Sequence, residues 1–165
     1  MTSSGRATLT LPADEQILIT REFDAPKHLV FRAWTTPELV RRWWHANRGE
    51  VTVVEIDLRV GGKWRYVMVA DDGTEVGFHG AYLEVVPDER IVSTETYEGL
   101  PEGVTEEQGS TVNTATFAEA GGRTTVTLLI QATSKVSRDA IVDSGMEAGL
   151  QDALALLEEV ARSLS

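Results

Sequence analysis

The sequence predicts an α+β protein in which a curved antiparallel sheet wraps around one long C-terminal helix. Two observations carry this prediction. Residues 51–132 alternate between apolar and polar side chains and are broken by turn residues, whereas residues 137–163 place apolar side chains three and four positions apart. A sheet with one apolar face and a helix with one apolar stripe can bury both surfaces by packing against each other.

The N-terminal part of the chain predicts one or two strands followed by two short helices. Residues 8–11 alternate weakly and fit a short edge strand, and residues 16–23 are rich in the β-branched and apolar types of a strand. Pro26 suits the first turn of a helix, because its missing N–H would have no partner there. The pair Thr36-Pro37 repeats this signal, so we expect a second helix that continues through Trp44.

Six strands are predicted to follow in a meander. They alternate in polarity and are separated by Gly-rich and Asp-rich turns, over residues 51–58, 63–70, 74–86, 90–97, 111–118 and 124–132. Short connections between consecutive strands imply antiparallel pairing. The connection over residues 98–110 is long, acidic and contains Gly and Pro, which predicts a mobile loop.

The C-terminal segment has the clearest helical pattern. Its apolar residues form one stripe, made of Ile141, Val142, Met146, Leu150, Ala153, Leu154, Leu157, Val160, Ala161 and Leu164. We predict a single helix with Ser137 as its N-cap. Gly145 and Gly149 would lie inside this helix, where each costs about 1 kcal/mol relative to Ala. Either close packing of a neighbouring element or space left for a ligand would explain that cost.

Composition restricts the class of protein. The 165 residues include 26 acidic and 15 basic side chains, with a formal net charge of -11 and no cysteine. This excludes disulfides and thiolate metal sites and leaves no basic surface for nucleic acid. No apolar run approaches the roughly 20 residues of a membrane helix, and the N-terminus lacks the apolar segment of a signal peptide, so we expect a cytoplasmic protein. The small polar residues 1–7 predict a flexible tail before one domain over residues 8–165.

Neither a metal nor a cofactor is predicted. The three histidines, His28, His45 and His79, lie far apart in the sequence without the spacing of metal ligands. The glycines at positions 61 and 62 fit a hairpin turn, and the chain contains no phosphate-binding loop motif.

A set of short motifs extends from about Leu9 to Leu164. Their order in the chain is Phe23-Asp24-Ala25-Pro26, Val30-Phe31-Arg32-Ala33-Trp34-Thr35, Pro37-Glu38, Trp43-Trp44, Asp57-Leu58-Arg59-Val60-Gly61-Gly62-Lys63-Trp64-Arg65-Tyr66, Gly80, Glu84-Val85-Val86-Pro87, Glu89-Arg90-Ile91-Val92, Thr94-Glu95, and Gly145-Met146-Glu147 with Gly149. In this order and spacing the set resembles the activator of heat shock protein 90 ATPase homologue (AHSA-like) family. That family belongs to the START/polyketide-cyclase-like (SRPBCC) superfamily of helix-grip folds.

The resemblance implies a cavity between the sheet and the C-terminal helix, and it leaves the function open. The superfamily includes lipid and hormone binders, cyclases and a eukaryotic co-chaperone domain. We expect binding of a small hydrophobic or amphipathic ligand without covalent chemistry. Two alternatives are a cyclase- or dehydratase-type enzyme acting on a polyketide-like substrate and a chaperone- or partner-binding module. From its length we expect the chain to lack the further domain of the eukaryotic co-chaperone, which argues against chaperone activation. A homodimer through a sheet edge is a further alternative.

Candidate ligand-binding residues follow from the strand period and the helix spacing. The expected cavity-lining residues are Trp64, Tyr66, Met68, Phe78, Tyr82, Glu95, Met146, Gly149 and Leu150. Trp44 and His45 are expected at the entrance, and His45 stands where relatives usually have Gly. Glu95 is the candidate polar anchor, and Glu95 or His79 would move a proton in an enzyme. A register slip of one residue would reverse the direction of any of these strand positions.

Overall fold

The order of the secondary structure follows the changes of periodicity along the sequence. The computed structural model describes residues 6–164. Its elements in chain order are β1 (Thr8–Thr10), β2 (Gln16–Phe23), α1 (Lys27–Thr35), α2 (Pro37–Val40), β3 (Gly49–Ile56), β4 (Lys63–Ala70), β5 (Glu75–Val86), β6 (Arg90–Tyr97), α3 (Glu106–Gly109), β7 (Thr111–Ala120), β8 (Arg123–Gln131), α4 (Lys135–Asp143) and α5 (Met146–Ser163).

The eight strands form one antiparallel sheet in the order β1-β2-β8-β7-β6-β5-β4-β3. The meander from β3 to β8 pairs consecutive strands, and β2 closes against β8 over its whole length. Apolar residues of α5 and of the inner sheet face belong to one core. The predicted fold class, a curved antiparallel sheet around a C-terminal helix, is confirmed.

The predicted N-terminal tail falls mostly outside the described part of the chain. Residues 1–5 of that tail lie outside the described residues. Ala7 is buried, and its backbone N–H and carbonyl both bond to the Gln151 side chain at 2.9 Å. Ala7, the last residue of the predicted tail, is therefore bound to α5.

One end of the space between the sheet and α5 is filled by apolar side chains. The large residues buried there almost completely are Phe23, Phe117, Ile17, Ile19, Leu157, Val30 and Val40. The rings of Phe31 and Trp34 meet the Phe117 ring edge to face, at centroid distances of 5.3 and 5.5 Å. Trp43 is buried and donates its indole N–H to the Ala33 carbonyl at 2.9 Å. Trp43 thus belongs to the packed core, and Trp34 packs against it.

The C-terminal helical pattern is interrupted, so the prediction of one continuous helix is wrong. Between α4 and α5, Gly145 has a φ of 84°, a left-handed conformation that glycine adopts without steric cost. Ser134 is the N-cap of α4, because its side chain accepts the Ser137 backbone N–H at 3.0 Å. The apolar spacing runs across the break because both helices pack against the same core.

The connection over residues 98–110 contains a helical turn, α3, that the sequence did not predict. Thr105 and Gln108 cap it reciprocally, each accepting the backbone N–H of the other. The Gln108 carbonyl also accepts the hydroxyl protons of Thr133 and Ser137, at 2.6 and 3.1 Å. The connection is therefore fastened to the start of α4.

The β3 edge of the sheet is partly covered by Arg41, which follows α2. Its guanidinium donates to the backbone carbonyls of Val51 and Thr52, at 3.2 and 3.5 Å. The same strand is irregular at this point, with a register shift between Val51 and Val53. Bulges and charged side chains hinder the pairing of an edge strand with another chain. Any homodimer through this edge would have to displace Arg41.

Candidate ligand-binding groove

The strand register places the predicted strand residues of the site on one face of the sheet. Tyr66 pairs with Phe78 across β4 and β5, and Tyr82 pairs with Ser93 across β5 and β6. Residues directly opposite each other in neighbouring strands share a face, and so do alternate residues of one strand. This face, which looks towards α5, carries Trp64, Tyr66, Met68, Phe78, Tyr82 and Glu95.

Several of these side chains, together with residues of α5, pack against the core without being fully buried by it. The residues that are only half-buried there are Tyr66, Met68, Phe78, Glu95, Met146 and Leu150. Gly149 lies on the same stripe of α5 as Met146 and Leu150, and a Cβ atom built on it would meet no neighbouring atom within 4 Å. We name the space bounded by Tyr66, Phe78, Glu95, Gly149 and Leu150 the inner groove.

Two surface depressions lie elsewhere in the fold, one of about 500 Å³ beside Asp24 and Arg162 and one of about 460 Å³ beside Asp14 and Gln131. Neither is lined by a residue predicted to line the cavity. The cavity expected between sheet and helix is thus neither of these two depressions.

Trp64 forms a rigid wall of the groove. It is 7% exposed, and its indole N–H donates to the Thr94 carbonyl at 3.1 Å, across the intervening strand β5. This hydrogen bond requires glycine at position 80. A Cβ atom there would overlap the Thr94 carbonyl oxygen and lie 2.8 Å from the indole nitrogen. The indole N–H of Trp64 is therefore already bonded to the backbone, and the rest of the ring presents an apolar surface.

Aromatic rings cover one end of the groove. Trp44 meets Tyr66 and Phe78 in edge-to-face contacts, at centroid distances of 5.5 and 5.9 Å. Tyr97, which the sequence analysis did not select, stacks on Phe78 at 5.1 Å. Trp44 lies in the turns after α2, because that helix ends at Val40 and does not continue through Trp44 as predicted.

His45, the second predicted entrance residue, is tied to its own turn. Its Nδ1 accepts the Asn47 backbone N–H at 2.9 Å. The turn is tight, since Ala46 and Asn47 have φ values of 52° and 60°. His45 is half-buried beside Trp44, and its ring nitrogen supports the backbone that carries Trp44.

Glu95 supplies the polar centre of the groove. Asn113 donates its side-chain N–H to Glu95 Oε1 at 3.2 Å, and the Thr111 hydroxyl donates to Asn113 Oδ1 at 2.8 Å. The other carboxyl oxygen, Oε2, has no hydrogen-bond partner among residues 6–164 and keeps accessible surface. Burial raises the pKa of Glu95, and the Asn113 hydrogen bond opposes this shift. The carboxyl is thus deep in the fold, and one of its oxygens has no hydrogen-bond partner in the described part of the chain.

Two tyrosine hydroxyls accompany this carboxyl. Within the described part of the chain, neither Tyr66 Oη nor Tyr82 Oη has a hydrogen-bond partner, and both atoms keep accessible surface. Burial raises the pKa of Tyr66, and the nearby Tyr82 and Glu95 raise it further. Burial also raises the pKa of Tyr82, with a smaller contribution from Asp57. The groove thus holds three polar groups with free hydrogen-bonding capacity.

His79 lies on the outer face of the sheet, away from the groove. It pairs with Arg65 across β4 and β5, and its Nδ1 is 2.9 Å from Glu98 Oε2. Arg65 binds the same carboxylate with two hydrogen bonds of 2.8 Å. The expectation that His79 could act as a proton carrier for a groove-bound substrate is therefore wrong.

The sequence comparisons agree with this architecture. The model of the family described as Activator of Hsp90 ATPase homolog 1-like protein matches residues 24–162. The chain belongs to this family. No curated protein matches the sequence. The family model spans α1 to α5 and so includes every residue of the inner groove.

Solved structures similar to this member of the family come from several bacteria. A protein from Rhodobacter sphaeroides is 21% identical with a TM-score of 0.86, and the match covers 97% of this chain and 100% of that chain. A protein from Arthrobacter aurescens is 23% identical with a TM-score of 0.81, covering 94% and 91%. A protein from Chromobacterium violaceum is 27% identical with a TM-score of 0.76, covering 90% and 98%. These similarities support the helix-grip fold.

Sequence reasoning on this family member missed Asn113, the residue that orients Glu95. Asn113 pairs with Ser93 across β6 and β7, which turns its side chain to the same face as Glu95. An amide in the middle of a strand made mainly of Thr, Val, Ala and Phe was the available signal, because a buried amide needs a partner. Within residues 6–164 no three metal-ligating side chains gather into a metal site, and no helix has the length and apolar character to cross a membrane.

We expect the Glu98 carboxylate to stabilise this protein in a pH-dependent way. The hydrogen bond from Arg65, and then that from His79, lowers the pKa of Glu98 from 4.5 to about 2. A carboxyl whose pKa is lowered by folding stabilises the folded state above its unfolded pKa, and this stabilisation is lost as the pH falls through the folded pKa. The melting temperature of Glu98→Gln should therefore lie below that of the wild type at neutral pH.

The difference between the two melting temperatures should shrink as the pH falls from 4.5 towards 2. Glu107→Gln, which changes an exposed residue of the same connection, is the control and should change the melting temperature little. A pH-independent difference for Glu98→Gln would show that the carboxylate charge is not what stabilises this contact.

Proposed function

We propose that this protein binds a small hydrophobic or amphipathic ligand in the inner groove. The observation that carries the proposal is the unfilled space at Gly149, on the stripe of α5 that packs towards the sheet. A helix interior normally avoids glycine, and a ligand in the open space beside Gly149 would explain its presence here. The family and its helix-grip fold are consistent with a ligand-binding role.

The groove has the composition of a small-molecule site. Its walls are aromatic and aliphatic, with Trp64, Phe78 and Leu150 as apolar surface and Glu95 as one deep polar group. Removing apolar surface from water contributes about 25 cal/mol per Å² to binding, and a few placed polar groups fix the orientation. The ligand would lie between the rings and the first turns of α5.

Substitution of Gly149 by Leu tests this proposal. The new side chain would enter the open space and fill it, so binding of the neutral apolar dye Nile red should be lost. The same change should raise the melting temperature, because a helix interior gains about 1 kcal/mol when glycine is replaced by a good helix former. Fluorescence titration and thermal unfolding measure the two effects on the same sample.

Ala148→Leu is the matched control, since it adds a large side chain to the exposed side of the same helical turn. This control should bind Nile red like the wild type. If the wild type does not bind the dye, or if Gly149→Leu binds it unchanged, the groove is not the ligand site. A role in binding a protein partner would then be favoured.

A cyclase- or dehydratase-type enzyme acting on a polyketide-like substrate is a second candidate, and Glu95 is the observation that favours it. Its carboxyl is deep, its pKa is raised by burial, and one of its oxygens has no hydrogen-bond partner among the described residues. Those are the properties of a group that exchanges a proton with a bound molecule. With His79 on the outer face, Glu95 is the remaining candidate for this role.

A further inference from the structure

The inner groove contains one carboxyl, that of Glu95. Glu95 is the ionisable carboxyl that faces it, and the two influences on its pKa are burial and the Asn113 hydrogen bond. No cationic side chain in the described part of the chain contributes to that pKa. The groove therefore contains a carboxyl with no positive partner.

The buried cationic side chains of the described residues form ion pairs or hydrogen bonds with groups other than Glu95. Arg21 is held by Glu158 at 3.6 Å and lies over the Phe23 ring, at the filled end of the core. Arg138 is held by Asp139 at 2.8 Å and by the Ala13 carbonyl at 2.9 Å. These arginines do not compensate Glu95, so the compensating group has to come from a proton or from a ligand.

The surroundings of Glu95 suit a positive charge and not a negative one. An unpaired carboxylate in a low-dielectric site is costly, and an opposite charge within a few ångströms offsets that cost. The aromatic rings of Trp44, Tyr66 and Phe78 line the same groove, and the faces of aromatic rings attract cations. The two free tyrosine hydroxyls add oxygen acceptors. A carboxylate ligand, such as a fatty acid anion, would be repelled by Glu95.

We propose that the ligand of the inner groove is an amphipathic organic cation, an apolar body that ends in an ammonium group paired with Glu95. The inference rests on the proposed ligand-binding function and narrows its chemical class. The ammonium group donates to Glu95 Oε2, the oxygen that Asn113 leaves free, and the apolar body lies against Met146 and Leu150. The net charge of -11 raises the local concentration of such cations without orienting them.

Three probes of one shape and different charge test the inference. They are 2-naphthylmethylamine, 2-naphthylmethanol and 2-naphthoate, and their affinities are measured by calorimetric titration at neutral pH. We expect the amine to bind at least about tenfold more tightly than the alcohol, and the alcohol more tightly than the carboxylate. Lowering the pH should weaken amine binding and leave alcohol binding unchanged, because protonation of Glu95 removes its charge.

Glu95→Gln keeps the size of the side chain and removes its charge, so the advantage of the amine over the alcohol should disappear. Glu147→Gln removes the same charge from the exposed surface of α5 and should keep that advantage. If the amine no longer binds more tightly than the alcohol in either variant, the preference comes from the net charge of the protein, and the inference is overturned. Equal affinities of the wild type for amine and alcohol would overturn it as well, and this result does not depend on the folding of a variant.

The inference and the proposed function fail in different ways. If the alcohol binds the wild type, if Gly149→Leu abolishes that binding, and if the amine has no advantage, ligand binding stands and the cation preference is wrong. If none of the three probes and no Nile red binds, the proposed function fails and the inference fails with it.

Discussion

A Gly80→Ala variant is expected to lose about 3 kcal/mol or more of its free energy of unfolding. The added Cβ atom would overlap the Thr94 carbonyl oxygen, a backbone atom that cannot move without disturbing β6. It would also displace the Trp64 indole, which donates to that carbonyl at 3.1 Å. The loss therefore combines overpacking with a broken buried hydrogen bond. Urea denaturation followed by circular dichroism measures it.

Gly149→Ala is the matched control, because it adds the same methyl group at a position with no atom within 4 Å. This variant should be more stable than the wild type by about 1 kcal/mol, since alanine favours the helix. The two substitutions should thus change stability in opposite directions. A similar small change in both would mean that Trp64 and Thr94 adapt to the new methyl group and that Gly80 is not a steric requirement.

Removal of the charge from Glu158 is expected to cost about 3 kcal/mol of stability, and removal of Arg21 should restore most of it. Arg21 is 2% exposed, lies 3.6 Å from Glu158, and has an Nε atom without a hydrogen-bond partner among the described residues. Burial lowers the pKa of Arg21, and Glu158 opposes the shift. Glu158→Gln would leave this guanidinium charged and uncompensated inside the core.

The diagnostic measurement is the double variant Arg21→Met with Glu158→Gln, which replaces the pair by an apolar chain and a neutral amide. Replacing a buried ion pair by apolar groups is often neutral, whereas removing one partner is not. Arg123→Met serves as a control, because Arg123 pairs with Glu22 and Asp24 at the surface and should change stability by less than about 1 kcal/mol. Additive losses in the double variant would contradict this account of the pair.

The strand boundaries could be predicted because alternation and turn residues are local properties of the sequence. The predicted strand over residues 16–23 and those over residues 63–70 and 90–97 match β2, β4 and β6. The break at Gly145 could not be predicted from spacing, because α4 and α5 both turn apolar residues to one core and continue the same pattern. The helical turn α3 could not be predicted either. It depends on capping by Thr105 and Gln108 in a stretch that otherwise has the composition of a loop.

The directions of the site residues depend on register, which is a tertiary property. One irregularity lies between Tyr82 and Glu84, and another between Val51 and Val53, and each shifts the pairing of the residues beyond it. Only the complete ladder shows that Glu95 faces the groove. Once Phe78 and Tyr82 face inwards, His79 must face outwards, since neighbouring strand residues point to opposite sides.

Arg41 has a consequence for how this molecule behaves among many copies of itself. A long edge strand with apolar residues is a template for aggregation, because its free carbonyls can accept N–H groups from a strand of another chain. In β3 two of these acceptors, on Val51 and Thr52, already accept hydrogen bonds from the guanidinium of the same chain. At these two carbonyls the backbone of the edge strand is not free for a second molecule. Resistance to aggregation at this edge is thus provided by one intramolecular side chain and needs no partner.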